Sequence, residues 1–430
     1  MSLGSAAGAT LNRRRFIAVS ATPFLTTPAR ASPLTLRVSA APSIFKAMFE
    51  ALSHEFQRKY PDIAVELTAN SRAQDDEFLK ILRRALIRDL PDVSFQGFTY
   101  LGSLMRRSIA APLNDFIRSD PEWSTTIYSA SLTKIGSVGP SVAGLGAAVS
   151  VPIVFYDESR LAEVLGSRNM PQDWDSMLEL VRALSRRAKP RALGAFCQHD
   201  SGNWIYSGIV EGLGGSLMTA DEHRIEFDQL PGRKALEIYR AFGQAGQARV
   251  DMDIDQARQA FVGGMIALLI DSSSNLPTFE RQIGGRFPLG SARIPVVPAG
   301  RVPVSGVASV LLARDSSRQA AAWKFMKFVS GPEGQQIIGK SSGYFPANRL
   351  VASRPEWLGN YYASRRLAQP VIETLPQAGP AHRFPGENSA KIDSAIADQV
   401  ASVVTLSKTP DQALAAMKHL VEALLPVRAY

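Results

Sequence analysis

An α/β fold in two units is what the sequence predicts, on three observations. Strand-like alternation and helix-like periodicity follow one another repeatedly from residue 34 onward. The pattern restarts at "ALGAFC" (192–197), and a chain of 430 residues is long enough for two domains. The composition, 45% hydrophobic and 20% charged, is that of a globular protein rather than a disordered one.

The first element is "LTLRVSA", in which apolar and polar residues alternate as in a half-buried strand. In "SIFKAMFEALSHEFQRKYP", Ile44, Met48, Phe49, Leu52 and Phe56 recur at helical spacing, with Ser43 as the expected cap and Pro61 as the stop. "DIAVELTAN" is a second strand, "DDEFLKILRRALIRDLP" a second helix and "DVSFQGF" a third strand. This alternation predicts a mostly parallel sheet.

A loop-rich stretch, 114–146, leads to "AVSVPIVFYD", an apolar strand, and to the helices "ESRLAEVL" and "DWDSMLELVRALSRR". After the restart, "DIDQARQAFVGGMIALLID" reads as a capped helix, a Gly-Gly turn and a buried strand. "SGVASVLLA" is a further strand. "DSSRQAAAWKFMKFVSGPEGQQIIGK" reads as two helices broken at Gly331-Pro332, and "TPDQALAAMKHLVEALL" as a last amphipathic helix.

No run of about 18 apolar residues occurs, so no membrane-spanning helix is expected. The N-terminus has the order of an export signal: Arg13, Arg14 and Arg15 before Phe16-Ile17, a mostly apolar run, then Ala29-Arg30-Ala31 as a small-x-small cleavage site. The paired arginines resemble the twin-arginine type. Removing residues 1–31 takes away four Arg and no acid, so the net charge falls from 48 − 39 = +9 to 44 − 39 = +5. The remaining cations are interleaved with acids, which argues against a nucleic-acid track.

Cys197 is the single cysteine, so no intramolecular disulfide forms, and it lies far from the cleavage site, where a lipid-anchor cysteine would be. An exported, unanchored protein of this kind fits the periplasm.

Several spellings suggest chemistry and fail on context. "GQQIIGKS" (334–341) satisfies the P-loop pattern, but a P-loop needs a strand before the first glycine and a helix after the Lys-Ser. Here a helix runs in and "SGYFP" follows. "DMDID" (251–255) begins like a calcium loop, yet Gln256 and Val262 stand where the turn glycine and bidentate Glu belong. It supplies a helix cap instead.

His54-Glu55 opens a zinc-protease pattern that ends in Arg58, and Ser43-Ile44-Phe45-Lys46 lacks the other β-lactamase motifs. No catalytic, metal or cofactor set assembles, so no cofactor and no metal are expected. The rival reading is a twin-arginine-exported enzyme, which predicts a bound chromophore or metal.

Nearly all of residues 33–425 resembles the extracellular solute-binding proteins of ABC importers, in the carbohydrate-binding group that includes maltose-binding and glycerol-3-phosphate-binding proteins. The resemblance is carried by "FEALSHEFQRKYPDIAVEL", "LPDVSF", "VPIVFYDESRL" with "MPQDWDSMLELVRAL", "AFVGGMIALLIDSSS", "AAAWKFMKFVSGPEGQQIIGKSSGYFP" and "KTPDQALAA".

It implies the periplasmic-binding-protein type of α/β fold: two lobes of discontinuous segments, 32–150 plus 306–342 and 151–305 plus 343–430, closing like a hinge on a small polar solute, a sugar or polyol. It implies a monomer that delivers the solute to membrane permease subunits served by a separate ATPase.

The resemblance also implies site residues. Tyr344 matches a tyrosine that reaches the ligand in glycerol-3-phosphate-binding relatives, and Ser150 matches a ligand serine. Ser273 and Gly306 fall in the matching "DSSSN" and "SGVAS" loops. Trp204 is a stacking platform, with Phe98 and Tyr100 at the other lobe's edge. Phe98 stands where the relatives have a ligand Glu, "NSRAQDDEF" lacks their tyrosine, and "GENSAKIDSA" lacks their phosphate-binding Arg. An uncharged saccharide or polyol is therefore expected at least as much as glycerol 3-phosphate.

Overall fold

Leu36 and Val38 point into the protein from the strand Leu34–Ser39, while Thr35 between Leu34 and Leu36 is exposed. This is the alternation that the sequence shows. The computed structural model describes residues 33–167, 169–188, 192–199 and 203–426. The export signal expected at residues 1–31 lies outside them.

Leu34–Ser39 pairs in parallel with Ile63–Thr68 on one side and Val93–Gly97 on the other. Between the first two strands lies the helix Lys46–Lys59, which buries Met48, Phe49, Leu52 and Phe56 against the sheet. Ser43 does not cap that helix. It opens a 3-10 turn, Ser43–Phe45, with no side-chain capping bond.

The first sheet runs, in spatial order, Phe345–Pro346, Leu145–Ser150, Val302–Leu311, Val93–Gly97, Leu34–Ser39 and Ile63–Thr68, with Ala378–Pro380 added beside Val302–Leu311. The second runs Leu289–Arg293, Pro152–Asp157, Ile266–Ser272 and Leu193–Cys197.

The expectation of a mostly parallel sheet is corrected. Val302–Leu311 is antiparallel to both Val93–Gly97 and Leu145–Ser150, and Pro152–Asp157 is antiparallel to both its neighbours. These strands arrive from the other lobe instead of returning over a helix of their own, so the crossover that enforces parallel pairing does not apply.

"AVSVPIVFYD" is likewise two strands rather than one. Leu145–Ser150 belongs to the first sheet and Pro152–Asp157 to the second, with Val151 alone between them. Pro152 has no N–H to continue the first ladder. Next to the segment boundaries expected at 305/306 and 342/343, Ser305 pairs with Ser150, and Phe345 and Pro346 pair with Val149 and Ala148, in the first sheet.

The first lobe's core gathers Phe49, Phe56, Phe95 and Phe325, with Phe56 and Phe325 edge to face at 5.0 Å. In the second lobe the helices Trp174–Arg187, Leu230–Gln244, Ser389–Val404 and Pro410–Leu424 share a core with Leu268 and Ile270 of the sheet. Its other face buries Phe155, Phe261 and Phe279. The chain thus has two α/β lobes, linked where strands pass from one sheet to the other.

Candidate functional site

At Ser150 the first sheet ends and at Pro152 the second begins, so residues at these strand ends stand between the lobes. A cavity of about 890 Å³ opens there, lined from both sides. The first lobe contributes Pro42, the segment 72–75 with Phe78, and the segment 98–106; the second contributes Gln198, Trp204, Ser272, Ser274 and the segment 381–398.

Six of the seven expected residues line this cavity: Ser150, Gly306, Tyr344, Trp204, Phe98 and Tyr100. Ser150 pairs with Ser305 at the strand end, and Gly306 lies opposite Val149. Gly306 has φ +136°, and a Cβ there would come within 2.0 Å of the Ala148 carbonyl oxygen, so glycine is required.

Tyr344 is only 6% exposed, and its ring packs on Phe45 at 4.5 Å. Burial pushes its hydroxyl up to about 12 against a hydrogen bond with Gln74. Its ring belongs to the first lobe's core, and the residue also lines the cleft.

Trp204 begins the helix Trp204–Gly212 and donates its indole N–H to the Pro303 carbonyl at 3.0 Å. Tyr100 stacks on Phe78 at 4.5 Å with planes 13° apart, giving the first lobe a flat aromatic wall. Burial, and then the charges of Asp75 and Asp393, hold its hydroxyl up near 12.

Ser273 is the exception. It is fully buried, its Oγ accepts from the Val151 amide, and its neighbours Ser272 and Ser274 line the cleft in its place. A three-serine run leaves the choice open in the sequence. The backbone turn at Ser273–Asn275 decides which hydroxyl faces inward.

Sequence reasoning missed the charged lining. Four Arg (72, 106, 258, 383) and four acids (Asp75, Glu387, Asp393, Asp398) line the cleft. Arg258 is held by Asp271 at 2.8 Å. Arg106 donates to the Gly386 carbonyl at 3.0 Å, and Arg383 donates to the Phe98 carbonyl, so both tie one lobe to the other.

Burial, with Arg106 beside it, holds Arg383 down near 10, and its Nε has no hydrogen-bond partner. Burial pushes Asp393 up to about 6, although Arg383 and a 3.0 Å hydrogen bond from Asn203 oppose it. Arg72, Asp75, Glu387 and Asp393 lie in the short stretches "NSRAQDDEF" and "GENSAKIDSA", where nothing distinguishes a lining residue from a surface one.

Chemically the cleft can stack and hydrogen-bond a solute. Among the described residues no cluster of His, Cys, Asp and Glu could hold a metal. Cys197 is buried with its thiol pushed up, which makes it a poor nucleophile. "GQQIIGKS" falls inside the helix Pro332–Ser341, so its amides turn inward to helical carbonyls rather than outward to phosphate.

The family model for bacterial extracellular solute-binding proteins matches residues 51–360. The chain belongs to that family. Its relatives are solute-binding proteins, not enzymes.

One relative of this solute-binding protein is the sn-glycerol-3-phosphate-binding periplasmic protein UgpB of Pectobacterium atrosepticum, 22% identical over 295 residues. The match spans 64% of each chain, less than two thirds of that relative's length.

Among solved structures, UgpB from Mycobacterium tuberculosis in complex with glycerophosphocholine is similar with a TM-score of 0.78 at 20% identity, covering 91% of this chain and 98% of that one. The cyclic alpha-maltosyl-1,6-maltose binding protein from Arthrobacter globiformis follows with a TM-score of 0.76 at 18% identity, covering 91% and 99%. At these identities the likeness concerns the fold. Among the described residues, no helix is long and apolar enough to cross a membrane.

Proposed function

We propose that this solute-binding protein is the periplasmic receptor of an ABC importer, capturing a sugar, polyol or glycerophosphate-like solute and delivering it to membrane permease subunits. The cleft of about 890 Å³, lined by aromatic and hydrogen-bonding groups from both lobes, carries the reading. A solute touching both lobes favours the closed arrangement by its differential contacts, which is how capture becomes a conformational signal.

The moving units are residues 32–150 plus 306–342 and 151–305 plus 343–430, adjusted where Val302–Ser305 and Phe345–Pro346 pair into the first sheet. Ser150, Gly306, Tyr344, Trp204, Phe98 and Tyr100 provide the contacts, with Ser272 and Ser274 in place of Ser273. The receptor acts as a monomer exported by the twin-arginine route without a lipid anchor, and ATP is hydrolysed by a separate polypeptide.

The test is thermal unfolding of the mature chain with maltose, glycerol, glycerol 3-phosphate and glycerophosphocholine. A receptor is stabilised by the compound it binds, through binding to the folded state alone. The bound compound should also be recovered unchanged after overnight incubation; a new product overturns the reading.

A further inference from the structure

Asp393 and Arg383 both line the cleft. Asp393, on the helix Ser389–Val404, accepts from Asn203 Nδ2 through Oδ1, and among the described residues nothing donates to Oδ2. Arg383 gives a guanidinium N–H to the Phe98 carbonyl, and its buried Nε–H is unpartnered. The two are close enough for each charge to act on the other.

One wall of the cleft therefore holds a carboxylate oxygen, Asp393 Oδ2, to which no described residue donates. A hydroxyl group can donate to that oxygen. A phosphate oxygen only accepts, and it would face the Asp393 carboxylate as a like charge.

We propose that Asp393 is a specificity-determining residue of the cleft: its carboxylate accepts a hydrogen bond from a hydroxyl of the captured solute, selecting a neutral polyhydroxylated compound over its phosphorylated counterpart. This rests on the solute-capture reading. The balance of four arginines and four acids around the cavity fits it, because no net positive field is left over to attract an anion.

A charge-assisted bond of this kind needs the ionised carboxylate. The groups acting on Asp393 are Arg383, Tyr100 and the neutral Asn203; Arg106 and Glu222 act in turn on Arg383, which acts on His382. With the carboxyl pushed up to about 6, protonation falls within an accessible range. Affinity should drop about tenfold from about pH 7.5 to about pH 5.

The experiment is calorimetric titration of maltose, glycerol, glycerol 3-phosphate and glycerophosphocholine into the wild type and Asp393→Asn. The amide that replaces the carboxylate keeps an oxygen for Asn203, so the variant retains its local contacts. The expected result is tightest binding by an unphosphorylated compound, weakened at least about tenfold in Asp393→Asn, with the acid-side loss seen in the wild type and absent from the variant.

Tightest binding by either phosphate compound overturns this inference and leaves the receptor reading standing. Equal wild-type and variant affinities, or parallel pH profiles, also overturn it. The wild-type pH profile reads the role without any variant. No binding by any of the four overturns the receptor reading and this inference with it.

Discussion

Ser273 Oγ accepts the Val151 amide at 3.1 Å, and the Ser273 amide donates to the Val151 carbonyl at 2.9 Å. Val151 is the single residue between the two sheets, so this pair ties a lobe crossing to the turn after Ile266–Ser272. Replacing Ser273 by Ala leaves a buried amide unmatched and should cost about 1–3 kcal/mol. Denaturant unfolding checks it. A stability equal to wild type would show that the crossing is held elsewhere.

Tyr344 separates core packing from solute contact. Tyr344→Ala removes a ring that is only 6% exposed and should lose about 3–5 kcal/mol, comparable to other buried aromatics. Tyr344→Phe keeps the ring against Phe45 and deletes only the hydroxyl, so stability should change by about 1 kcal/mol. If the hydroxyl meets the solute, the Phe variant binds more weakly in a calorimetric titration; unchanged affinity would leave Tyr344 a packing residue alone.

At Gly306 the backbone itself sets the requirement. With φ +136° and a would-be Cβ 2.0 Å from the Ala148 oxygen, Gly306→Ala should destabilise by at least about 2 kcal/mol and disturb the register shift between Val307 and Ala308. Thermal unfolding, with circular dichroism to confirm the fold, measures this.

Glu211 makes stability depend on pH. Burial pushes its carboxyl from the ordinary 4.5 up to about 7, although Arg301 lies 3.0 Å away; Arg301 is half exposed, so solvent screens its charge. The folded state binds this proton more tightly than the unfolded state. The contribution is present below about pH 4.5 and is lost as pH rises through about 7, on the order of 3 kcal/mol. Glu211→Gln should flatten that fall in a stability profile taken from pH 5 to pH 8.

Asp253 caps the helix Ile254–Val262 in a capping box with Gln256. Asp253→Ala should cost about 1 kcal/mol, and calcium should leave the melting temperature of the wild type unchanged. A calcium-dependent shift would restore the ion-loop reading of "DMDID".

Much of the local structure is legible in the sequence because it is set by near neighbours. Asp253 before "IDQARQAFV" announces a helix start, and the break at Gly331-Pro332 separates Ser316–Ser330 from Pro332–Ser341 as expected. The helix through "GQQIIGKS" is legible for the same reason, since what precedes and follows it rules out a phosphate cradle. Six cleft residues are reached through resemblance rather than through pattern. Aromatic and serine residues look the same in a sequence whether they face a core or a cavity.

The sequence by itself determined the alternation of strands and helices, their capping and their buried faces, because periodicity and turn chemistry act over a few residues. Only the tertiary structure decided which strands share a sheet, that Val151 divides an apolar run between two lobes, that Ser273 turns inward while Ser272 and Ser274 line the cleft, and that Arg383 and Asp393 line the same cavity. Those outcomes depend on backbone ladders and desolvated charges brought together from distant segments. Local patterning carries no record of such meetings.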